Sequence, residues 1–278
     1  MAQALLVPIS GQLTSAADTN CHPSAMSFLQ ALVAGMALGA LGIVQGRVSV
    51  HTGKVRVKFY GESGCPTCRA FVAGPLNQTL EATGIADIMD FEFSPWGNAY
   101  FATAKCGGEG GYSVSARSCF NSECGAEATQ RPADCFTSKL VCQHGEVECK
   151  ANRYLACAKT AGATFQKYMP FVTCLEARYG NFGIDEHAVE AAADSCATLA
   201  GLSFAAISDC FTGDAGGEAL VAEAQATPTH PGVPYVVLNG KPLVDTDALL
   251  RSVCEEYAGH DLPVACGTPP AVLAKRQI

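Results

Sequence analysis

Between Lys54 and Tyr60 the chain reads KVRVKFY, alternating polar and apolar positions and rich in Val and aromatic side chains, which predicts a β-strand. The GESG that follows breaks the pattern. Pro66 suits the first turn of a helix, where its missing N–H costs nothing. That helix is expected to run through TCRAFVAG to about Ala82, with a kink at Pro75. In IADIMDFEFSPW the alternation returns, with Met89, Phe91 and Phe93 on one face and Asp90 and Glu92 on the other, a second strand. Strand, crossover helix and strand predict a parallel βαβ unit.

From Gly97 to about Leu140 the periodicity lapses. Cys106, Cys119, Cys124 and Cys135 punctuate this stretch around a glycine-rich CGGEGG, which reads as a loop stapled by two local disulfides. From Val147 to about Ala226 the chain is helical in pattern. VPYVVLNGKPLV then predicts two short strands around Asn239-Gly240, a strong hairpin signal. DTDALLRSVCEEYAG reads as a closing helix capped by Asp245 or Thr246. This order is α/β and thioredoxin-like, with a helical, disulfide-rich insertion at about 101–226 between the βαβ unit and the C-terminal hairpin and helix. The folded unit is expected over 47–266, preceded by an N-terminal segment over 1–46 and followed by a frayed tail over 267–278.

Composition narrows the setting. The 278 residues can bury a full core without cysteine support, yet the chain holds 15 cysteines, which points to an oxidising compartment. With a net charge of −8, nothing in the sequence looks like the basic face that nucleic acid requires. Met26 to Val44 carries no charged residue and is just long enough to span a bilayer. It is read as a secretory signal cleaved near Val44-Gln45-Gly46, although no Lys or Arg precedes Arg47. An uncleaved anchor is the alternative. It would place the basic residues after the segment, and with them the domain, in the cytosol, against the cysteine content. Removing Cys21 with the signal leaves 14 cysteines, one Cys65/Cys68 pair and up to six structural disulfides.

Cys65-Pro66-Thr67-Cys68 sits between strand and helix. A thiol at a helix N-terminus faces unpaired N–H groups and the positive end of the dipole, which favours the thiolate. Cys65 is expected to attack a substrate disulfide, and Cys68, one turn on, to resolve the mixed disulfide. Pro66 and Thr67 would tune this pair, and Val233-Pro234 reads as a cis-proline segment facing it. A zinc site would need a second ligand pair, and no other Cys-x-x-Cys occurs. A purely structural bridge would close too short a loop to stabilise much. No metal or cofactor is expected.

Cys142 to Cys157 reads CQHGEVECKANRYLAC and matches CQHG-x2-EC-x2-N-x4-C at all eight fixed positions. On that signature the chain resembles the gamma-interferon-inducible lysosomal thiol reductase (GILT) family. CPTCRAF, SPWGNAY and VPYVVLNGKPL resemble further family segments, and the resemblance extends from about Val55 to Cys266. It implies a thioredoxin-like, soluble, glycosylated reductase with Cys65 and Cys68 as its catalytic pair. Its partners would be disulfide-bonded proteins and a small-thiol reductant, in acidic endosomes or lysosomes or outside the cell. The segment Phe101 to Leu140 is longer than the family's usual spacer, with four extra cysteines. A single glycosylation acceptor, Asn77-Gln78-Thr79, falls on the predicted first helix. Within the signature, Cys142, Gln143, His144, Gly145, Glu148, Cys149, Asn152 and Cys157 are read as structural. Cys149 and Cys157, two turns apart, must each pair outside their own helix. His144 and Asn152 read as capping or core hydrogen-bonding residues, with proton transfer the alternative for His144. Oxidase or isomerase activity, or a secreted binding protein without turnover, remain the competing functions.

Overall fold

The computed structural model describes residues 53–180 and 186–267. The N-terminal segment with Met26–Val44, Cys21 and the tail lie outside the described residues. Strand β1 (Val55–Tyr60) buries Val55, Val57 and Phe59 and leaves the intervening residues exposed, as the alternation demands. Helix α1 (Pro66–Phe71) follows, then one π-helical turn over Val72–Leu76, then α2 (Asn77–Glu81). Pro75 was expected to kink this helix. The chain instead widens to a π turn around the proline, a known way to absorb its lost N–H and ring clash. A short α3 (Ile85–Ile88) leads into β2 (Met89–Ser94), which pairs parallel with β1 from Val55↔Met89 to Tyr60↔Ser94.

The stretch beyond Gly97 is more ordered than its sequence suggests. β3 (Tyr100–Ala102) and β4 (Lys139–Val141) form a small antiparallel ladder, and α4 (Val114–Cys124), capped by the Ser113 hydroxyl, lies between them in sequence. Single three-residue strands show too little alternation to be read from pattern. The stapling is as expected: Cys106 pairs with Cys119 and Cys124 with Cys135. A second apolar cluster of Trp96, Tyr100, Phe101, Phe120 and Val141 sits under this segment.

Helices α5 (Glu146–Gly162), α6 (Phe165–Tyr179), α7 (Glu186–Ala200), α8 (Phe204–Thr212) and α9 (Asp214–Ala226) come next. β5 (Tyr235–Leu238) runs antiparallel to β1 and turns through Asn239 and Gly240, both at positive φ, into β6 (Lys241–Pro242). Asp245 caps a short 3₁₀ turn that opens α10 (Leu249–Glu256). The sheet order β2-β1-β5-β6, with a parallel βαβ half and an antiparallel hairpin half, is the thioredoxin-like layout. Its core is aromatic. Phe59 stacks on Phe93 at 4.9 Å and meets the edge of Phe71 at the same distance, joining sheet to α1.

Among the described residues six disulfides form, and only Cys65 and Cys68 are free. Cys149 and Cys157 indeed pair outside α5, with Cys142 and Cys210. Cross-links stabilise more as the loop they close lengthens. Cys157–Cys210 closes a separation of 53 residues and is expected to contribute about 4 kcal/mol, and Cys142–Cys149, closing 7, about 2 kcal/mol. Urea unfolding of the two Cys→Ala double variants checks this ordering, and a larger loss from the shorter bridge would contradict it.

Candidate active site

Cys65 is the N-cap of α1, in extended conformation, and Pro66 takes the first helical position. The Cys65 Sγ accepts the Cys68 backbone N–H at 3.4 Å and lies 2.9 Å from the Thr67 hydroxyl. Val233 precedes Pro234 through a cis peptide bond, and its carbonyl faces the thiol at 3.8 Å and the Thr67 hydroxyl at 3.4 Å. Cys65 is 7% exposed and Cys68 is sealed in the core. The two thiols are driven in opposite directions. A hydrogen bond from the Cys68 thiol, helped by Thr67 and nearby backbone N–H groups, holds Cys65 down at about 5. Burial, then the same hydrogen bond, pushes Cys68 far above the ordinary thiol range. The thiolate form is favoured at Cys65 and the protonated form at Cys68.

The loop before Cys65 is held from α5. Ser63 donates its N–H and its hydroxyl to Asn152 Oδ1, at 2.9 and 2.8 Å. The Gly64 N–H reaches Glu148 Oε2 at 3.1 Å. A Cβ at Gly64 would run into Glu148 and His144, so only glycine lets the loop approach this closely. Glu148, the third residue of α5, also accepts the His144 backbone N–H on Oε1 at 3.2 Å, a relative of the capping box at a helix start where Gly145 supplies no side chain. Its Oε2 meets His144 Nδ1 at 2.6 Å. Glu62 is fully buried beside them, its Oε2 accepting the Asn98 N–H at 2.7 Å and its Oε1 3.6 Å from the same Nδ1. Gln143 hydrogen-bonds the Asn98 amide. The Glu62, His144 and Glu148 donor atoms lie within 4.8 Å of one another. Backbone N–H groups and the imidazole already occupy these carboxyl oxygens, so the cluster is a closed hydrogen-bonded network rather than a ligand set.

Electrostatics follow from this burial. Desolvation first, then Glu148, pushes the Glu62 pKa above the carboxyl range. The Glu148 hydrogen bond raises His144. On α6, Glu176 is buried with neither carboxyl oxygen hydrogen-bonded, and desolvation pushes it well upward. A cleft of about 440 Å³ opens at the dithiol, lined by Cys65, Thr67, Gln143, His144, Val233 and Tyr112.

The structure therefore gathers Cys65, Pro66, Thr67, Cys68, Val233, Pro234, Gln143, His144, Glu148 and Asn152 in one place. Cys142 and Cys149 bracket Gln143 and His144 with their disulfide, whereas Cys157 faces Cys210 in the helical layer. Asn77 stands apart, half-buried on α2, and the Thr79 hydroxyl of its acceptor motif donates to the Pro75 carbonyl at 2.7 Å. Asn98 and Tyr112 escaped the sequence reading as site residues. SPWGNAY was the available pointer to Asn98, while Tyr112 lies in the stretch without periodicity.

A free, acidified thiol backed by a buried second thiol at the strand-to-helix turn of a thioredoxin-like sheet is the constellation of a thiol-disulfide oxidoreductase. The model of the gamma interferon inducible lysosomal thiol reductase (GILT) family matches residues 56–130 and 123–200, and the chain belongs to that family. It is 29% identical over 230 residues to the gamma-interferon-responsive lysosomal thiol protein of Arabidopsis thaliana, covering 80% of this chain and 79% of that one. It is 28% identical over 237 residues to the gamma-interferon-inducible lysosomal thiol reductase of Carassius auratus, with 81% and 77% covered. Among solved structures, a putative protein disulfide isomerase from Nitrosomonas europaea superposes with a TM-score of 0.43 at 13% identity, over 74% of this chain and all of that one.

Two measurements test the electrostatics. The rate of Cys65 alkylation by iodoacetamide should be half-maximal near pH 5, against about 8.5 for a free cysteine. Thr67→Val should move that midpoint upward, and Cys68 should stay unlabelled while the protein is folded. Glu62 has a raised pKa in the fold, so its contribution to stability is complete below the ordinary carboxyl pKa and is lost as pH climbs through the folded value. In the oxidised protein, where neither thiol titrates, wild type should therefore lose more thermal stability than Glu62→Gln between pH 5 and pH 8. Parallel melting curves for the two proteins across that range would contradict the assignment. His230, held down at about 4 chiefly by burial, runs the other way, losing its contribution as pH falls from the ordinary imidazole value through about 4.

Proposed function

We propose that the protein reduces disulfide bonds in protein substrates, with Cys65 as the attacking thiol and Cys68 as the resolving thiol. The observation that carries this reading is the asymmetry of the pair. Cys65 touches a cleft and is acidified, whereas Cys68 is fully buried and kept protonated. The Cys65 thiolate attacks one sulfur of the substrate disulfide and forms a mixed disulfide. Cys68 then attacks Cys65 Sγ, the second substrate thiol leaves, and the enzyme is left with a Cys65–Cys68 disulfide. A small-thiol reductant returns the pair to the dithiol.

The same acidified thiol supports work in an acidic endolysosomal or secretory compartment. A free cysteine is almost wholly protonated at pH 5, but a thiol with a pKa of about 5 is half ionised there. The six disulfides among the described residues fit an oxidising route to that compartment. Carbohydrate at Asn77 would have to be attached before α2 closes over Thr79.

Insulin reduction measured from pH 4 to pH 7.5 tests the activity. Cys65→Ser should abolish it. Cys68→Ser should accumulate a mixed disulfide at Cys65, visible by mass spectrometry without reductant. An adduct trapped by Cys65→Ser and not by Cys68→Ser would reverse the two roles.

A further inference from the structure

The reaction just described leaves a proton unassigned. When Cys65 attacks, the substrate sulfur departs as a thiolate, and an ordinary cysteine thiolate has a conjugate acid near pH 8.5, a poor leaving group. The second proton has a source in the Cys68 thiol. The first does not, because Cys65 is itself the thiolate.

Given that dithiol reading, we propose that His144 is a catalytic residue of the first step, donating the Nε2 proton of its imidazolium to the substrate thiolate as the substrate S–S bond breaks. The ring lines the same cleft as Cys65, and its side chain is 33% exposed, so it can meet a substrate and be recharged from solvent. Nδ1 is committed to Glu148 Oε2 at 2.6 Å, which fixes the ring and leaves Nε2 as the nitrogen for the substrate. A surface histidine held only for packing would not need a fully buried carboxyl at that distance, with a second buried carboxyl, Glu62, 3.6 Å from the same nitrogen. The titratable groups facing the ring are Glu148 from α5, Glu62 from the loop after β1 and Cys65 from the start of α1. Tyr112, just before α4, and Arg117, within it, line the cleft with the ring, and Arg117 is engaged by His230. Glu148, Glu62 and Cys65 all favour the protonated ring.

Protons and electrons balance. Cys65 thiolate, Cys68 thiol, imidazolium and substrate disulfide become the Cys65–Cys68 disulfide, neutral imidazole and two substrate thiols. One thiol proton comes from His144 and the other from Cys68. Two electrons pass from the dithiol to the substrate.

Such a proton donor matters only where the leaving thiolate is basic, and this defines the test. Single-turnover reduction is followed with oxidised glutathione, an alkyl disulfide, and with 5,5′-dithiobis(2-nitrobenzoate), whose aromatic thiolate leaves without a proton. His144→Asn should lower the ratio of the alkyl rate to the aromatic rate about 100-fold at pH 5, the lower end of what general acids contribute. With wild type the alkyl rate should be bell-shaped in pH. It should rise as Cys65 ionises and fall as His144 loses its proton, while the aromatic rate shows only the rise. Glu148→Gln, which weakens the support for the imidazolium, should move the falling limb to lower pH. An unchanged rate ratio in His144→Asn, or a falling limb unmoved by Glu148→Gln, overturns the proposal, including the case in which the substitutions merely loosen the loop and slow both substrates alike. Failure of the dithiol reading looks different: wild type would reduce neither probe, or Cys65→Ser would still reduce both.

Discussion

The hydrogen bond from the Gly64 N–H to Glu148 Oε2 is the contact on which the site depends. It joins the loop that ends in Cys65 to the first turn of α5, across a gap that only a glycine leaves open. The Ser63–Asn152 pair repeats the connection one turn further along α5. Because these bonds lie in a buried region, breaking either would leave a buried backbone N–H without its partner, at a cost of about 1–3 kcal/mol. The loop that carries the Cys65 thiol is thus held by α5 as well as by α1.

That arrangement gives the family signature a physical content. Its cysteines, one residue apart from Gln143 and five from His144 along the chain, close a small ring through the Cys142–Cys149 bridge that presents both side chains to the cleft. Glu148 does three things with one carboxyl group: it closes the start of α5, it takes the Gly64 N–H, and it orients the imidazole. Substituting it would disturb helix start, thiol loop and histidine together, so its effects on stability and activity will not separate additively.

Most of the thioredoxin-like half was legible from pattern. The alternation in β1 and β2, the Asn239-Gly240 turn and the strand–Cys-x-x-Cys–helix order each rest on local rules, and the structure follows them. The signature was legible as a motif but not as a neighbour of the dithiol. Its partners lie 84 and 89 residues away in sequence, and side-chain contacts at that range leave no periodic trace. Glu62 was the least readable. On sequence it is one acidic residue in a turn between a strand and a cysteine, and nothing there indicates that its carboxyl is fully desolvated against Asn98 and His144.

Burying carboxyls next to an acidified thiol is costly at neutral pH and much less so in acid. Glu62 and Glu176 are both pushed upward first by desolvation, and each is easier to accommodate when protonated. A neutral Glu62 also removes a negative charge from beside Cys65, where a second anion would oppose the thiolate. Glu148 favours the protonated imidazole of His144, which adds a positive charge to the cleft. Lowering the pH therefore changes the surroundings of the thiol from repelling to attracting negative charge while Cys65 itself, held at about 5, keeps a useful thiolate fraction.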